Sequence, residues 1–383
     1  MDIFYWSPFI SRVATVSSVI RSAQSIVKYS KKKINVSFVD AIGEWEEYKD
    51  VIDPKIQIIK LNNKNYYNKL PRNSYIKSRL SYLIIFFLNF NKLKNLINKK
   101  KPNFLIIHLM TVLPIFLTLF LKSNTKIILR ISGLPKLNFF RYYFWKIFSN
   151  KIYKITCPTV GTYNYLLKKK IFDEDKLHIL YDPAILLNDF ANKKFEKIED
   201  LNFKKKKIIV SIGRLTRQKN FSLLISAFHE ILKKYPEYLL IILGEGEQKS
   251  KLLKLIKNLN IENQVFLVGH QKNVYKYLVN SECFILSSLW EDPGFVLLEA
   301  GLSNTTVISS NCPNGPQEIL NHNKNGYLFM NNNKNELIKK FEEFIKTDDL
   351  ELKRKRKNLK KEIKKYTLYS HFNALKKIVN IEN

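Results

Sequence analysis

The sequence predicts an α/β protein built from two doubly wound domains. The chain has 383 residues, enough for two domains with separate hydrophobic cores. Residues 1–182 alternate short apolar stretches with helix-like stretches, which is typical of a parallel sheet covered by helices. A second series starts near residue 207, where the apolar stretch 208–212 precedes an amphipathic stretch, 221–235. We therefore expect two Rossmann-like domains.

The apolar stretches of the first half predict its strands. These strands are expected at residues 3–5, 34–39, 104–107, 126–130 and 152–157. The longest apolar stretches are 82–90 and 104–121, and the second is near the lower length limit for a membrane-spanning helix. It contains His108 and Pro114, so we favour a strand followed by a buried helix from Thr111 over a transmembrane segment.

Changes in composition predict the domain boundaries. We expect the first domain at residues 1–182, a polar and charged linker at 183–206, the second domain at 207–345 and basic helices at 346–383. The sequence contains no internal repeat of solenoid period.

The charge favours anionic partners. The chain has 65 lysines and arginines against 33 aspartates and glutamates, a formal net charge of +32. Nucleic acid, acidic lipid and nucleotides all fit such a charge. Lysine runs occur in loops and helices alike, so compositional bias is an equally good explanation for part of the excess. These runs are 31–33, 99–101 and 204–207.

The cysteines and the first residues predict a cytoplasmic location. Cys157, Cys283 and Cys312 are odd in number and lack metal-ligand spacing, which suits a reducing compartment. The opening residues, MDIFYW, are typical of a first strand and not of a signal peptide.

Two glutamates eight positions apart flank a Pro-Gly turn in the segment WEDPGFVLLEA, residues 290–300. Pro293 is expected to end a loop, so that the first backbone N–H groups of a helix form an anion site suited to a diphosphate. Those groups belong to Gly294, Phe295 and Val296. Glu291 in the loop and Glu299 about one turn inside the helix could then accept hydrogen bonds from separate sets of hydroxyls. The alternative is that Glu291 interacts with the helix dipole and Glu299 is solvated.

A basic turn follows the predicted strand 208–212, with the sequence GRLTRQKN from Gly213 to Asn220. The turn places a guanidinium, Arg214, and an ammonium, Lys219, at the carboxyl end of a strand, where open α/β sheets bind ligands. The alternative is that both are ordinary solvated cations.

Five short motifs follow one another between residues 207 and 329. They are GRLTRQKN from Gly213, LIILGEG from Leu240, VFLVGH from Val265, the strand 283–288 with the paired glutamates, and NGPQE from Asn314 with NGYL behind it. Each motif alone is weak, but their order is specific. In this order they resemble the donor domain of retaining glycosyltransferase family 4, a family with the GT-B fold.

The resemblance implies a fold, a chemistry and residue roles. The two domains would face a central cleft, and the C-terminal end would pack back across the first domain. Arg214 and Lys219, on the Gly213 turn, would hold the donor diphosphate, while Glu291 would contact the donor sugar and Glu299 the ribose. The co-substrate would be a nucleotide sugar, with UDP favoured over GDP by the family's habit. Retention of configuration is implied, with no cofactor or essential metal.

The first domain resembles the family more loosely. Members often carry a glycine pair after the first strand, where this chain reads SPFISR from Ser7 to Arg12. Many also place a histidine before a glycine, which the equivalent segment LRISGLP, residues 129–135, lacks. The candidates on the acceptor side are therefore His108, Arg130 and Ser132. The alternatives are a packed residue for His108 and a surface salt bridge for Arg130.

Aromatic residues and cations are mixed in the segment 137–151, LNFFRYYFWKIFSNK. It could lie on an anionic bilayer, with rings at headgroup level and cations on phosphates. It could equally be a buried helix with a basic outer edge.

We interpret the chain as a glycosyltransferase that acts on a glycan or lipid-linked glycan in surface polysaccharide synthesis, with the membrane as a further candidate partner. Asp173 to Asp175 form the only Asp-x-Asp of the chain, and we expect a solvated loop there. The alternatives are a protein that binds nucleotide sugars without turnover and a basic nucleic-acid-binding protein, although no nucleic-acid module is visible.

Overall fold

The computed structural model describes residues 1–11, 14–72, 74–198 and 206–380. The chain divides into two compact units: unit 1 is Met1–Ala184 with Tyr366–Asn383, and unit 2 is Ile185–Lys365. Arg12, the part of the predicted linker from 199 to 205, and residues 381–383 lie outside the described residues. Among the described helices, none combines the length and the apolar character needed to cross a bilayer.

Unit 1 is a parallel sheet covered by helices. Its strands are β1 Asp2–Trp6, β2 Asn35–Asp40, β3 Gln57–Lys60, β4 Phe104–Ile107, β5 Lys126–Arg130, β6 Lys154–Cys157 and β7 Leu177–Ile179. Its helices are α1 Ala14–Tyr29, α2 Tyr75–Lys100, α3 Val112–Leu117, α4 Phe139–Phe148, α5 Val160–Lys169 and, from the far end of the chain, α14 Leu368–Ile378.

The strand order in unit 1 is β3-β2-β1-β4-β5-β6-β7. The chain therefore adds strands outward from β1 on one side and then from β4 on the other, which is the doubly wound arrangement. The five strands expected from the sequence are confirmed. Two others, β3 and β7, were missed, because these short edge strands are only partly buried and lack a continuous apolar run.

The apolar stretch 104–121 forms a strand and a short buried helix, as predicted. Strand β4 is buried along its whole length and pairs with β1 and β5. Helix α3 follows Thr111, and Leu113, Ile115 and Leu117 enter the core of unit 1.

Helix α14 completes unit 1 although it follows unit 2 in the chain. It packs against α1, and its apolar side enters the same core as the first sheet. The side chains that do so are Phe372, Leu375 and Ile378.

The neighbour of those side chains, His371, belongs to a buried polar network. Its Nε2 lies 2.8 Å from Ser22 Oγ and its Nδ1 lies 2.7 Å from the carbonyl oxygen of Tyr181. A neutral ring that donates from Nδ1 and accepts at Nε2 satisfies both contacts. Burial, reinforced by the charge of Arg130, lowers the pKa of His371 to about 3.

Unit 2 is built on the same plan. Its strands are β8 Lys207–Ile212, β9 Tyr238–Leu243, β10 Val265–Leu267, β11 Cys283–Leu286, β12 Thr306–Ser310 and β13 Tyr327–Phe329. Its helices are α6 Leu187–Lys193, α7 Phe221–Lys234, α8 Lys249–Asn258, α9 Tyr275–Leu278, α10 Phe295–Leu302, α11 Pro316–Ile319, α12 Lys334–Lys346 and α13 Asp349–Ile363.

The strand order in unit 2 is β10-β9-β8-β11-β12-β13, and every pairing is parallel. Helices α7 and α12 pack against each other, and their buried apolar residues share a core with the strands. Phe228 and Phe341 are both almost fully buried there. The predicted fold class, two Rossmann-like α/β sheets, is confirmed.

Acid should destabilise unit 1 through His371. Its pKa of about 3 lies below the usual 6.5, so below pH 6.5 the unfolded chain binds a proton that the folded chain does not. The free energy of unfolding then falls as the pH falls towards 3. His371→Asn should make this slope shallower by up to about 1.4 kcal/mol per pH unit.

Urea unfolding at several pH values measures that slope. A Trp290→Phe background confines tryptophan fluorescence to unit 1, because the other tryptophans, Trp6, Trp45 and Trp145, all lie there. The exposed His270 supplies the matched control, His270→Asn. An unchanged slope in His371→Asn would contradict the assignment.

Candidate functional site

The candidate site lies at the carboxyl edge of the sheet in unit 2, between β8 and β11. From β8 the chain winds outward through β9 and β10, whereas β11, β12 and β13 extend the sheet in the other direction. The loops after β8 and β11 therefore leave the sheet side by side. Open α/β sheets bind their ligands at this change of direction.

The loop after β8 carries the two predicted cations. Arg214 is exposed, and Lys219 ends a short 3-10 turn, Arg217–Lys219. A Cβ atom on Gly213 would lie 2.9 Å from Cδ of Lys219. Glycine at this position thus lets the lysine side chain lie across the backbone of its own loop.

Lys219 reaches the loop after β11 and forms a buried ion pair with Glu291. Its Nζ lies 2.6 Å from Glu291 Oε1, and the side chains are 13% and 5% exposed. Ser288 Oγ donates to the same carboxylate oxygen over 2.5 Å. Glu291 is therefore buried, and two donors fix its carboxylate.

Backbone contacts join the same two loops. Leu289 N donates to the carbonyl oxygen of Gln218 at 2.8 Å, and Gln218 Nε2 donates to that of Trp290 at 2.9 Å. Ser287 Oγ donates to the carbonyl oxygen of Lys219 at 2.8 Å. The position of Lys219 is thus set by its main chain as well as by its charge.

The loop before α10 also contacts the loop that follows β12. Glu291 N donates to the carbonyl oxygen of Pro313 at 3.2 Å. A Cβ atom on Gly315 would lie 1.9 Å from the carbonyl oxygen of Pro293, and Gly315 also has a φ of +139°. Only glycine fits this close approach, which gives the predicted NGPQE motif a structural reason.

Helix α10 begins where the sequence predicted. Gly294 precedes it, and Leu297 N makes a 3.0 Å hydrogen bond to the Gly294 carbonyl oxygen. The N–H groups of Gly294, Phe295 and Val296 come before that first turn closes, so they have no acceptor within the helix. Glu299 lies one turn further on and is half-buried. Glu291 and Glu299 thus occupy the predicted loop and helix positions.

A buried thiol lies near the ion pair. Cys312 lies close enough to Glu291 and Lys219 to feel both charges, yet burial dominates and raises the pKa of its thiol to about 12. The thiol is therefore neutral around pH 7. Charge at this site comes from Arg214, Lys219 and Glu291.

Sequence reasoning missed the serines and the glutamine that hold the site. Ser287 and Ser288 follow β11 directly, and Gln218 precedes Lys219. The signal in the sequence that could have identified the serines is their position at the carboxyl end of a predicted strand. Their partners could not be predicted, because they lie about 70 residues apart in the chain.

The candidates on the acceptor side lie in unit 1. His108 follows β4 and is 1% exposed, and neither ring nitrogen has a hydrogen-bond partner among the described residues. Burial, together with the charge of Arg130, holds the pKa of His108 well below its usual range, so its ring is neutral. Ser132 is half-buried. The acceptor role of these residues stays a prediction.

Arg130 does not form the surface salt bridge that was the alternative for this residue. It is 4% exposed and pairs with Asp182, which is 6% exposed. Its salt bridge is therefore a buried one. In contrast, Asp173, Glu174 and Asp175 are all exposed in a charged turn, as the sequence predicted.

Comparison with known proteins supplies a family match and several relatives. Residues 192–366 match the family model described as glycosyl transferases group 1. An uncharacterized glycosyltransferase of Methanocaldococcus jannaschii is 46% identical over 134 residues, 35% of this chain and 33% of that protein. The N-acetylgalactosamine-N,N'-diacetylbacillosaminyl-diphospho-undecaprenol 4-alpha-N-acetylgalactosaminyltransferase of Campylobacter jejuni is 33% identical over 190 residues, 50% of each chain. The chain thus spans a third to a half of the length of these relatives.

Solved structures support the fold over nearly the whole chain. HepE of Anabaena in complex with UDP superposes with a TM-score of 0.75 at 13% identity, covering 99% of this chain and 100% of HepE. At that identity the likeness shows the fold alone, the two-sheet arrangement of GT-B glycosyltransferases. The motifs, the sheet edge that carries them and the family match agree, and residues 192–366 are similar to the glycosyl transferases group 1.

Proposed function

We propose that the protein is a retaining glycosyltransferase of family 4. It would move a sugar from a nucleotide diphosphate sugar, UDP-sugars favoured over GDP-sugars, to a hydroxyl of a glycan or lipid-linked glycan in surface polysaccharide synthesis. The observation that carries the proposal is the contact between Lys219 and Glu291. It brings the basic turn after β8 against the loop that leads into α10.

The diphosphate of the donor would lie on the N–H groups at the start of α10 and against Arg214 and Lys219. The bond between the sugar C1 and the phosphate oxygen breaks, and its electrons stay on the diphosphate. The acceptor oxygen bonds to C1 on the same face, and its proton passes to the donor phosphate. Arg214, Lys219 and the helix N–H groups stabilise the negative charge that develops. Because this charge stabilisation comes from the chain, the proposal includes no metal or cofactor.

The two glutamates would bind opposite ends of the donor. Both donors that fix Glu291, Lys219 and Ser288, converge on Oε1, and the proposal assigns the carboxylate to the donor sugar hydroxyls. Glu299, inside α10, is assigned to the ribose. The diphosphate between them would lie at the N terminus of the helix.

The comparisons support this choice of donor and acceptor. The name of the Campylobacter relative includes a diphospho-undecaprenol acceptor, and the HepE structure contains UDP. For this chain we accordingly propose a UDP-sugar donor and a glycan or polyprenyl-linked acceptor. The three cysteines are unpaired and buried, which supports a reducing, cytoplasmic setting. A polyprenyl-linked acceptor would place the enzyme at the inner face of the cytoplasmic membrane.

A thermal-shift screen of nucleotide sugars, followed by product analysis with a lipid-linked acceptor pool, tests the function. Stabilisation by a UDP-sugar together with a glycosylated product supports the proposal. Stabilisation without product would indicate binding without turnover. Stabilisation by nucleic acid alone would reject the proposal.

Arg214→Ala should weaken turnover of the donor, since it removes an exposed cation that would face the leaving diphosphate. We expect a loss of kcat/KM of about 10-fold to 1000-fold. The matched control is Arg217→Ala, which removes another exposed guanidinium from the same loop. Equal kinetics of the two folded variants would exclude the phosphate role.

Glu299→Gln should weaken binding of free UDP by about tenfold or more, because it removes a charged partner of the ribose, worth roughly 1.5–3 kcal/mol. Glu291→Gln should weaken binding of the nucleotide sugar without weakening that of free UDP, since its proposed contact is with the sugar and the change leaves the charge of Lys219 unmatched for the diphosphate. Calorimetry with both ligands separates the two roles. The assignment is wrong if both variants affect free UDP equally, or if neither does.

A further inference from the structure

Unit 1 exposes large apolar side chains on three neighbouring helical segments. We call this set the apolar face. It consists of Ile76, Leu80, Leu83 and Phe87 on α2, Leu119 and Phe120 just after α3, and Phe139, Phe140, Tyr143 and Ile147 on α4. The exposed fraction reaches 79% at Ile76, 74% at Phe87 and 80% at Phe140. Exposed apolar residues in such number mark an interaction surface.

Aromatic contacts tie these segments together. The Phe86 and Phe116 ring centroids are 6.1 Å apart, which joins α2 to α3, and those of Phe116 and Phe148 are 6.3 Å apart, which joins α3 to α4. Phe90 of α2 lies 5.7 Å from Phe120. The apolar face therefore belongs to one packed group of helices.

Helix α2 is apolar on two sides. Its inner side enters the core through Ile85, Leu93 and Ile97. Its exposed residues at positions 76, 80, 83 and 87 follow the spacing of a single helical stripe. An ordinary surface helix carries polar residues on its outer face, and this second apolar stripe departs from that pattern.

Helix α4 combines both alternatives that the sequence left open. Trp145 and Phe148 are buried, as a core helix requires. Phe139, Phe140 and Ile147 are at least 70% exposed, as a bilayer contact requires.

The stretch of chain that carries the apolar face has charges of one sign. Residues 54–172 contain 23 lysines and arginines and no aspartate or glutamate. Exposed cations alternate with the apolar residues on the same helices and the loop before α4. They are Lys77, Arg79, Lys136, Arg141 and Lys146. Without carboxylates in this part of the chain, these cations are suited to an external anion.

We propose that the apolar face binds the surface of an anionic phospholipid bilayer. The rings and aliphatic side chains would enter the headgroup region, and the cations would contact lipid phosphates. Exposed Ile76, Leu80 and Ile147 favour lipid over nucleic acid, which proteins bind by stacking and phosphate contacts. The inference stands on this surface and does not rest on the proposed catalytic function.

Flotation of the full chain with vesicles tests the proposal. Binding should rise with the fraction of phosphatidylglycerol in phosphatidylcholine vesicles and fall with added salt. Lys77→Gln/Lys136→Gln/Lys146→Gln should lower the partition coefficient by about fivefold per lysine. Phe87→Ser/Phe140→Ser should lower it by about tenfold or more.

Matched controls come from exposed residues of unit 2. They are Lys353→Gln/Lys357→Gln/Lys360→Gln for charge and Leu253→Ser/Leu350→Ser for apolar surface. Both should bind vesicles like the wild type. Hydrogen exchange of the wild type needs no variant, and vesicles should protect α2 and α4 selectively.

Several outcomes would overturn the proposal. One is loss of binding in the charge variant alone, because that would indicate adsorption of a basic protein without use of the apolar face. Another is an equal loss in the controls. A third is a lipid-free dimer, seen by light scattering, that Phe87→Ser/Phe140→Ser abolishes. Tighter binding to RNA than to vesicles, weakened by the same variants, would also overturn it.

Discussion

The buried ion pair between Lys219 and Glu291 is the constraint on which the candidate site depends. A buried pair contributes little net stability, because desolvation offsets the attraction, but removing one partner costs about 3–5 kcal/mol. The pair therefore fixes the positions of the two side chains more than it stabilises the fold. A diphosphate at this site would meet a lysine whose charge is already matched. In the proposed reaction the exposed Arg214 thus supplies the uncompensated charge.

Both units contain a buried ion pair near the carboxyl edge of the sheet. In unit 1 it joins Arg130, at the end of β5, to Asp182. In unit 2 it joins Lys219, after β8, to Glu291. These pairs link positions 52 and 72 residues apart. In a chain with a net charge of +32, two of the 33 acidic side chains are thus enclosed in ion pairs.

The sequence predicted the fold where burial on both faces leaves a continuous apolar run, as in β4, β5 and β8. It failed at edge strands such as β3, whose residues are only partly buried. At the site, residue types and loop positions were predictable from short-range chemistry. The pairing of Lys219 with Glu291 was not, because only folding brings these residues together. The exposed apolar stripe on α2 was not predicted, because apolar residues on both sides of a helix give no clear periodicity.

The placement of α14 has a consequence for how the protein is made. Unit 1 takes its last helix from a part of the chain that is synthesised after all of unit 2. Until α14 emerges from the ribosome, the side of α1 that it covers stays open to water and to other nascent chains. Unit 2 is continuous in sequence and can fold before α14 is available to complete unit 1. The N-terminal half of this protein is thus the last part to finish folding.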